Sequence, residues 1–155
     1  MHLHKIFYEL IDANAAGKYR SENVFITGTD FVPTSFSDVP KEMDTFISSI
    51  KEEESTLHPV IFSAYLHLEL VRIHPFVDGN GRTARLLTNL SLIRNGYLPI
   101  SIPPILRSEY INSIQLAQKK QNPSPDAFYR FVCLQEIEEM KAVARNLDIN
   151  IVADN

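Results

Sequence analysis

Residues 59–73 form the most apolar stretch of the sequence, and their apolar side chains occur on nearly every side of a helix. Pro59 stands at the start, where proline is tolerated in the first helical turn. Because proline disfavours helix at the preceding residue, Pro75 predicts that the helix ends at about Ile73. A helix that is apolar all round has to be buried. The chain is therefore expected to fold as helices packed around this one.

The other apolar residues mostly recur at helical spacing as well. They predict a first helix from residue 3 to near Asn14, a second after Ser37-Asp38, a fourth after Gly79–Gly81, and two more at about 107–120 and 126–148. Only residues 24–32 differ, because a turn-rich Thr27–Asp30 separates two short apolar runs, which predicts a small β-hairpin. The expected fold is all-α, a bundle of about six to eight helices with one hairpin.

Composition and charge narrow the function classes. The 155 residues are 45% hydrophobic and 22% charged, which is ordinary for one globular domain over residues 1–155. A net charge of −4 offers no electrostatic footprint for nucleic acid. No apolar run approaches the roughly 18 residues of a membrane span, and no signal-peptide core is present, so we expect no membrane partner and a cytoplasmic protein. The single Cys133 excludes a disulfide framework within the chain.

The chemistry is concentrated in residues 74–85, His-Pro-Phe-Val-Asp-Gly-Asn-Gly-Arg-Thr-Ala-Arg. Gly79 and Gly81 flank an asparagine just before a predicted helix, so backbone N–H groups can converge there on an anion. Arg82 and Arg85 share one face of that helix start, although the helix dipole disfavours cations there. A bound polyphosphate would supply the missing negative charge, because arginines grip phosphate oxygens as a bidentate fork.

Two further side chains complete this group. Asp78 places a carboxylate beside the expected phosphates, which suits Mg²⁺ held by one carboxylate and phosphate oxygens. His74, four residues upstream, can accept a proton near neutral pH. Together these residues predict phosphoryl or nucleotidyl transfer.

Other interpretations of the same segment are weaker. Residues 79–84 formally match the dinucleotide-binding fingerprint, but that motif requires a preceding strand, and a helix is predicted here. No Lys-Ser/Thr follows, which excludes a P-loop. His74 and Asp78 could be metal ligands, although Pro75 and Gly79 argue against one helix presenting both. The other histidines are expected to be surface or capping residues: His2, His4, His58 and His67.

Residues 74–85 resemble the signature of the Fic family, His-Pro-Phe-x-x-(Asp/Glu)-Gly-Asn-Gly-Arg-x-x-Arg, with every fixed position filled. The resemblance covers about residues 3–135 and includes Gly17–Arg20, Val39-Pro40, His58-Pro59, Gly96-Tyr97 and Arg107–Tyr110. It implies a Fic domain with a protein adenylyltransferase activity. Such an enzyme would use ATP with Mg²⁺, or Mn²⁺, and transfer AMP to a Ser, Thr or Tyr hydroxyl of a target protein, releasing pyrophosphate.

The resemblance also implies roles for individual residues. His74 would deprotonate the target hydroxyl and Asp78 would bind the metal. The phosphate-binding residues would be Gly79, Asn80, Gly81, Arg82, Thr83 and Arg85, with Arg82 and Arg85 on the β and γ groups. Tyr110, Ile111 and Gln118 would line the nucleotide pocket, although the family commonly has tyrosine and asparagine at the latter two positions. The hairpin would be the flap of the family, where Val24, Phe25, Ile26 and Thr27 align a target segment by strand addition.

Two alternative functions remain open. The same fold could transfer UMP, phosphocholine or phosphate, although Gly81, where a kinase branch of the family has lysine, favours AMP transfer. A non-catalytic interaction module is the other alternative, and the intact His74, Asp78, Arg82 and Arg85 disfavour it.

The family's inhibitory motif, Ser/Thr-x-x-x-Glu-Gly/Asn, does not occur in this sequence. The only glutamate followed by Gly or Asn is Glu22, and Lys18 stands four residues before it. The acidic cluster Glu136, Glu138 and Glu139 is expected to be a solvated helix face. We therefore expect an inhibitory glutamate to lie on an upstream helix, on an antitoxin-like partner, or nowhere. Arg85 would then be free to hold the γ-phosphate.

Overall fold

The computed structural model describes residues 1–149. Within that range the chain forms six α-helices and no β-strand. The helices are α1 (His2–Tyr8), α2 (Val39–Thr56), α3 (Pro59–Ile73), α4 (Asn80–Arg94), α5 (Arg107–Ala117) and α6 (Asp126–Asn146), with a 3-10 turn at Pro104–Leu106. The predicted all-α bundle is thus confirmed. No helix in this part of the chain combines the length and the apolar character needed to cross a membrane.

Helix α3 lies at the centre of the bundle, as the sequence predicts, and packs against α2, α4 and α6. The His58 side chain caps its start by accepting a hydrogen bond from the Val60 N–H. Its end is a left-handed His74, with φ 53° and ψ 56°. The candidate catalytic histidine therefore lies directly at the C-terminus of the most apolar helix of the sequence.

Two apolar clusters flank α3. One packs α2 against α3 and includes Val39, Phe46, Phe62, Leu70 and Ile73. The other joins α3 to α5 and α6 and includes Val60, Leu92, Phe128, Phe131 and Val132. Because α4 contributes Ala84 to the first cluster and Leu92 to the second, its position is set on both sides. This double packing holds the start of α4 next to the end of α3.

The first helix is shorter than predicted. Helix α1 ends at Tyr8 and a turn follows, because the Asp12 carboxylate accepts the N–H groups of Asn14 and Ala15. An aspartate that bonds to its neighbouring backbone in this way competes with helix. Leu10, counted in the helical pattern of the sequence, is 97% exposed. The helical spacing of apolar residues therefore predicted a helix longer than the part that packs against the rest of the protein.

The predicted hairpin turns where expected, but its strands do not form. Residues 24–32 reverse direction at Thr27-Gly28, with Gly28 at φ 85°, and neither arm is a β-strand. An isolated two-stranded hairpin is marginally stable in water, and Phe25 in this one is 87% exposed. The segment is held instead by Gln115 of α5, whose Nε2 donates to the Gly28 carbonyl at 3.0 Å.

The acidic residues of α6 do not form a uniformly solvated face, which corrects the prediction. Glu136 is 1% exposed, and its Oε1 accepts the Leu98 N–H at 3.0 Å. Glu139 accepts hydrogen bonds from the Ser101 N–H and hydroxyl. Only Glu138 fits the prediction, since it is exposed and paired with Lys141. Two of the three carboxylates thus hold the connection between α4 and α5.

Candidate active site

The loop between α3 and α4 is held by its own side chains. The Asn80 side chain is buried and closes the loop twice: its Oδ1 accepts the Phe76 N–H at 2.9 Å, and its Nδ2 donates to the Phe76 carbonyl at 2.8 Å. The Thr83 hydroxyl donates to the Gly79 carbonyl at 2.8 Å. Both side chains are therefore engaged in shaping the loop, and what remains available at these positions is the backbone.

Gly79 is required by both backbone and packing. Its φ of 79° lies in the left-handed region, which residues other than glycine rarely adopt. A Cβ there would also lie 3.1 Å from the His4 Nε2 and 3.2 Å from the Phe7 ring. Helix α1 thus packs directly against the start of α4.

The geometry of His74 leaves one ring nitrogen available as a base. Its Nδ1 lies 3.3 Å from the Val71 carbonyl oxygen, and a carbonyl can only accept, so Nδ1 carries the proton. Nε2 then has a free lone pair. Burial lowers the pKa of His74, and the positive charge of Arg20 adds to this effect. The imidazole is therefore neutral at physiological pH.

Arg20 forms hydrogen bonds both to the backbone of His74 and to the residues that flank 24–32. It is 3% exposed, and its Nε donates to the His74 carbonyl at 2.8 Å. Its other nitrogens donate to the carbonyls of Glu22 and Thr34. The backbone N–H of Arg20 donates to the Pro75 carbonyl at 2.9 Å. One buried guanidinium thus connects the flap ends to the end of α3.

Asp78 is an exposed carboxylate with partners on two helices. Its Oδ2 accepts from Arg82 at 2.8 Å and from the Tyr8 hydroxyl at 3.3 Å. Its Oδ1 accepts the Gly79 N–H. The His4 Nδ1 accepts the Gly17 N–H, so His4 Nε2 bears the hydrogen and donates to the Asp78 carbonyl at 3.0 Å. Helix α1 therefore fixes the backbone of Asp78.

The first turn of α4 presents free donors. The first intrahelical hydrogen bond runs from the Thr83 N–H to the Gly79 carbonyl. The N–H groups of Asn80, Gly81 and Arg82 therefore have no partner within the helix. Arg82 lies 5.4 Å from the centre of the Phe7 ring, and Arg85 is exposed. Within residues 1–149 no carboxylate forms an ion pair with Arg85. These groups form an anion-binding surface.

The three residues predicted for the nucleotide pocket do not line one common cavity. Arg85, Arg107, Tyr110 and Ile111 line a cavity of about 560 Å³. Gln118 lines two others, one of about 830 Å³ between residues 28–32 and the end of α5, and one of about 390 Å³ that also includes Phe31 and Tyr129. The structure thus places Tyr110 and Ile111 beside Arg85, and Gln118 beside the flap.

The flap residues differ in exposure. Phe25 points into solvent, whereas Val24 and Ile26 are half-buried and Thr27 is exposed at the turn. Neither the Phe25 N–H nor the Ile26 N–H donates a hydrogen bond within residues 1–149. The first arm of the flap therefore presents unpaired backbone groups.

Sequence reasoning missed the buried polar residues His4, Arg20 and His67. His4 and His67, expected at the surface, are each 1% exposed, while His58 caps a helix as predicted. His67 could have been found, because it lies in the middle of a helix predicted to be buried on all sides. Arg20 and His4 carried no such signal.

The chain is similar to known proteins in sequence and in fold. The Fic/DOC family model matches residues 1–92. A protein adenylyltransferase Fic of Drosophila persimilis is 41% identical over 77% of this chain, which covers 23% of that protein. The chain thus spans about a quarter of the length of the curated relatives it matches.

Two solved structures are similar over most of the chain. Fic-1 from C. elegans has a TM-score of 0.82 at 28% identity, covering 94% of this chain and 42% of that one. A Fic domain containing signaling protein from Bacteroides thetaiotaomicron has a TM-score of 0.75 at 29% identity, covering 90% and 59%.

Proposed function

This chain belongs to the Fic/DOC family, and we propose that it is a protein adenylyltransferase. It transfers AMP from ATP to a hydroxyl side chain of a target protein and releases pyrophosphate. The observation that carries the proposal is the joint arrangement at the end of α3 and the start of α4. A neutral imidazole with a free Nε2 at His74 is followed, within eleven residues of sequence, by unpaired helix N–H groups and two arginines. A base and a polyphosphate site so close together suit nucleotidyl transfer.

In this reaction His74 acts as the general base. Its Nε2 takes the proton of the target hydroxyl while the hydroxyl oxygen forms a bond to the α-phosphorus. The bond between the α-phosphorus and the bridging oxygen to the β-phosphate breaks in line, and pyrophosphate leaves. The Val71 carbonyl keeps Nδ1 protonated, so the basic nitrogen is always Nε2. Burial keeps the ring neutral and ready to accept the proton.

Electrostatic stabilisation comes from α4. The N–H groups of Asn80, Gly81 and Arg82 receive phosphate oxygens, and the helix dipole favours negative charge there. The guanidinium groups of Arg82 and Arg85 bind the β- and γ-phosphates. Thr83 and the Asn80 side chain support this site by holding the loop rather than by contacting the nucleotide.

The residues present fit a magnesium ion. Magnesium is usually held by one or two carboxylates together with substrate phosphates, and the Asp78 carboxylate is exposed beside the anion-binding surface. Its partner Arg82 is also exposed, so their ion pair can rearrange when phosphates arrive. When bound, the ion would neutralise charge on the phosphates.

The test is incubation of the chain with Mg²⁺ and labelled ATP, UTP or CTP, followed by intact-mass analysis for self-modification and scanning of added proteins. Addition of AMP from ATP is expected, and His74→Ala serves as the catalytic control. A mass increase from UTP or CTP instead would replace AMP transfer with transfer of another group. No modification of any protein, with the fold intact, would support an interaction module.

A further inference from the structure

His67 is a buried polar residue at the centre of α3 that the proposed reaction does not use. It is 1% exposed and surrounded by apolar side chains, including Phe128 at a ring-centre distance of 4.8 Å. Both of its nitrogens have partners: Nδ1 lies 3.1 Å from the Thr88 Oγ1, and Nε2 lies 3.0 Å from the Tyr110 hydroxyl. A buried imidazole with two side-chain partners is a directed hydrogen-bond network.

The direction of each hydrogen bond follows from its partner. The Thr88 hydroxyl donates its only hydrogen to the Ala84 carbonyl at 2.9 Å, so toward His67 it can only accept. His67 Nδ1 therefore carries the hydrogen. A neutral imidazole has one N–H, so Nε2 must accept, and the Tyr110 hydroxyl donates to it. Full burial lowers the pKa of His67 to about 3, which keeps the ring neutral.

The same reasoning orients Arg85. Once its hydrogen is directed at His67, the Tyr110 oxygen offers its lone pairs to the Arg85 Nη1, which lies 3.4 Å away. Arg85 and Tyr110 together line the cavity of about 560 Å³. Within residues 1–149 no carboxylate pairs with Arg85, so this hydroxyl is its anchor. A long side chain anchored before binding loses less conformational entropy when the ligand arrives.

We infer that His67 is a positioning residue that holds the Arg85 guanidinium, through the Tyr110 hydroxyl, toward the cavity that receives the terminal phosphate of ATP. His67 touches no substrate; it fixes which way the Tyr110 hydroxyl points. The inference rests on the proposed function, because it assigns the γ-phosphate to Arg85. It predicts an effect confined to nucleotides that carry this phosphate.

The experiment compares the affinities of ATP, ADP and AMP for four proteins: the unchanged chain, His67→Leu, His67→Gln and Tyr110→Phe. His67→Leu removes both hydrogen bonds. In His67→Gln the amide oxygen can accept from Tyr110 and the amide N–H can donate to Thr88. The small cavity of about 20 Å³ beside His67, Arg85 and Thr88 gives these side chains room to adjust.

We expect His67→Leu and Tyr110→Phe to weaken ATP binding by about tenfold, the loss of one hydrogen bond to a charged group. In His67→Leu, AMP affinity should change by less than about twofold, and ATP affinity in His67→Gln should be close to that of the unchanged chain. Combining His67→Leu with Arg85→Ala should weaken ATP binding no further than Arg85→Ala alone. Tyr129→Phe, which removes a hydroxyl of α6 outside this network, is the matched control and should have no effect.

Two results would overturn the inference: an equal loss of affinity for all three nucleotides, which indicates a packing role, or unchanged ATP affinity in both His67→Leu and Tyr110→Phe. Circular dichroism checks that each variant is folded. Should His67→Leu fail to fold, the ATP affinities of Tyr110→Phe and His67→Gln test the inference. If the unchanged chain binds ATP but transfers no AMP, the proposed function fails while the positioning role stands.

Discussion

The Nδ1 atom of His74 lies 3.3 Å from the carbonyl oxygen of Val71, one helical turn earlier in α3. The contact is possible because His74 leaves the helix in a left-handed conformation, with φ at 53°, and turns its ring back on the last turn. A non-glycine residue in this region is strained and has to be held by its surroundings. Arg20 does so by donating to the His74 carbonyl. The backbone thus determines that Nε2 is the nitrogen of His74 left available as a base.

The first prediction is that His74→Ala lowers the rate of AMP transfer by about 10²–10⁴-fold, the usual contribution of a general base. ATP affinity should change little, because we propose that the phosphates bind at the start of α4. Single-turnover transfer and equilibrium ATP binding measure the two effects. Near-normal turnover in this variant would remove His74 from the mechanism.

The pH dependence of transfer should follow the same residue. The base must be unprotonated, and burial lowers the pKa of His74 below its usual 6.5. Transfer should therefore be independent of this group at pH 7 and above, and fall only as the pH drops through the lowered pKa. A rate profile of kcat against pH measures this, and an acid limb centred above 6.5 would contradict the assignment.

The second prediction is that Asp78→Ala shifts the magnesium titration of transfer to higher concentration. The change removes the exposed carboxylate beside the phosphates, and it also frees Arg82 and the Tyr8 hydroxyl. Asp44→Asn, an exposed acidic position on α2, is the control for loss of one negative charge. A metal titration in Asp78→Ala that matches the control would count against a metal role.

The third prediction concerns the flap. Ile26→Pro should reduce modification of a protein target while leaving ATP affinity unchanged, because strand addition needs a backbone N–H that proline lacks. The Ile26 N–H has no partner within residues 1–149, so the change removes no hydrogen bond of the described fold. Ile26→Ala is the control for the side chain. Equal target modification in the two variants would mean that strand addition does not use this position.

The fourth prediction is that the chain by itself is active. Arg85 is anchored by the Tyr110 hydroxyl and is paired with no carboxylate within residues 1–149, so it is available for the γ-phosphate. Self-modification measured by intact mass tests this, with Arg85→Ala as the weakened control. A silent chain that becomes active when Glu138 is changed to Ala would show internal inhibition. Glu136 and Glu139 are unsuitable for that test, because both hold the backbone of residues 98–101.

The fifth prediction separates the glutamates of α6 by their effect on stability. Glu136→Ala should lower the free energy of unfolding by about 1–3 kcal/mol, because it leaves the partly buried Leu98 N–H without its acceptor. Glu138→Ala should have no measurable effect, since Glu138 is exposed and its pair with Lys141 is a surface ion pair. Denaturant unfolding of both variants measures the difference. Equal stabilities would contradict a structural role for Glu136.

The sequence alone was enough to predict the helical fold and the residues of the α3–α4 loop. An all-round apolar helix can only be central, Pro59 and Pro75 mark where it begins and ends, and Gly79 is needed where the backbone takes a positive φ. These features depend on residues that are close in the chain. The helical fold and the α3–α4 loop can therefore be predicted from the local sequence.

Tertiary structure decided the state of the polar side chains. Which nitrogen of His67 carries the hydrogen depends on Thr88 and Tyr110, which lie 21 and 43 residues further along the chain. Glu136 is buried because the α4–α5 connection brings the Leu98 N–H to it. The two arms of the flap do not pair as β-strands, since local contacts alone stabilise a two-stranded hairpin too little. Hydrogen bonds between distant segments arise only after the helices have packed, so local patterns in the sequence do not reveal them.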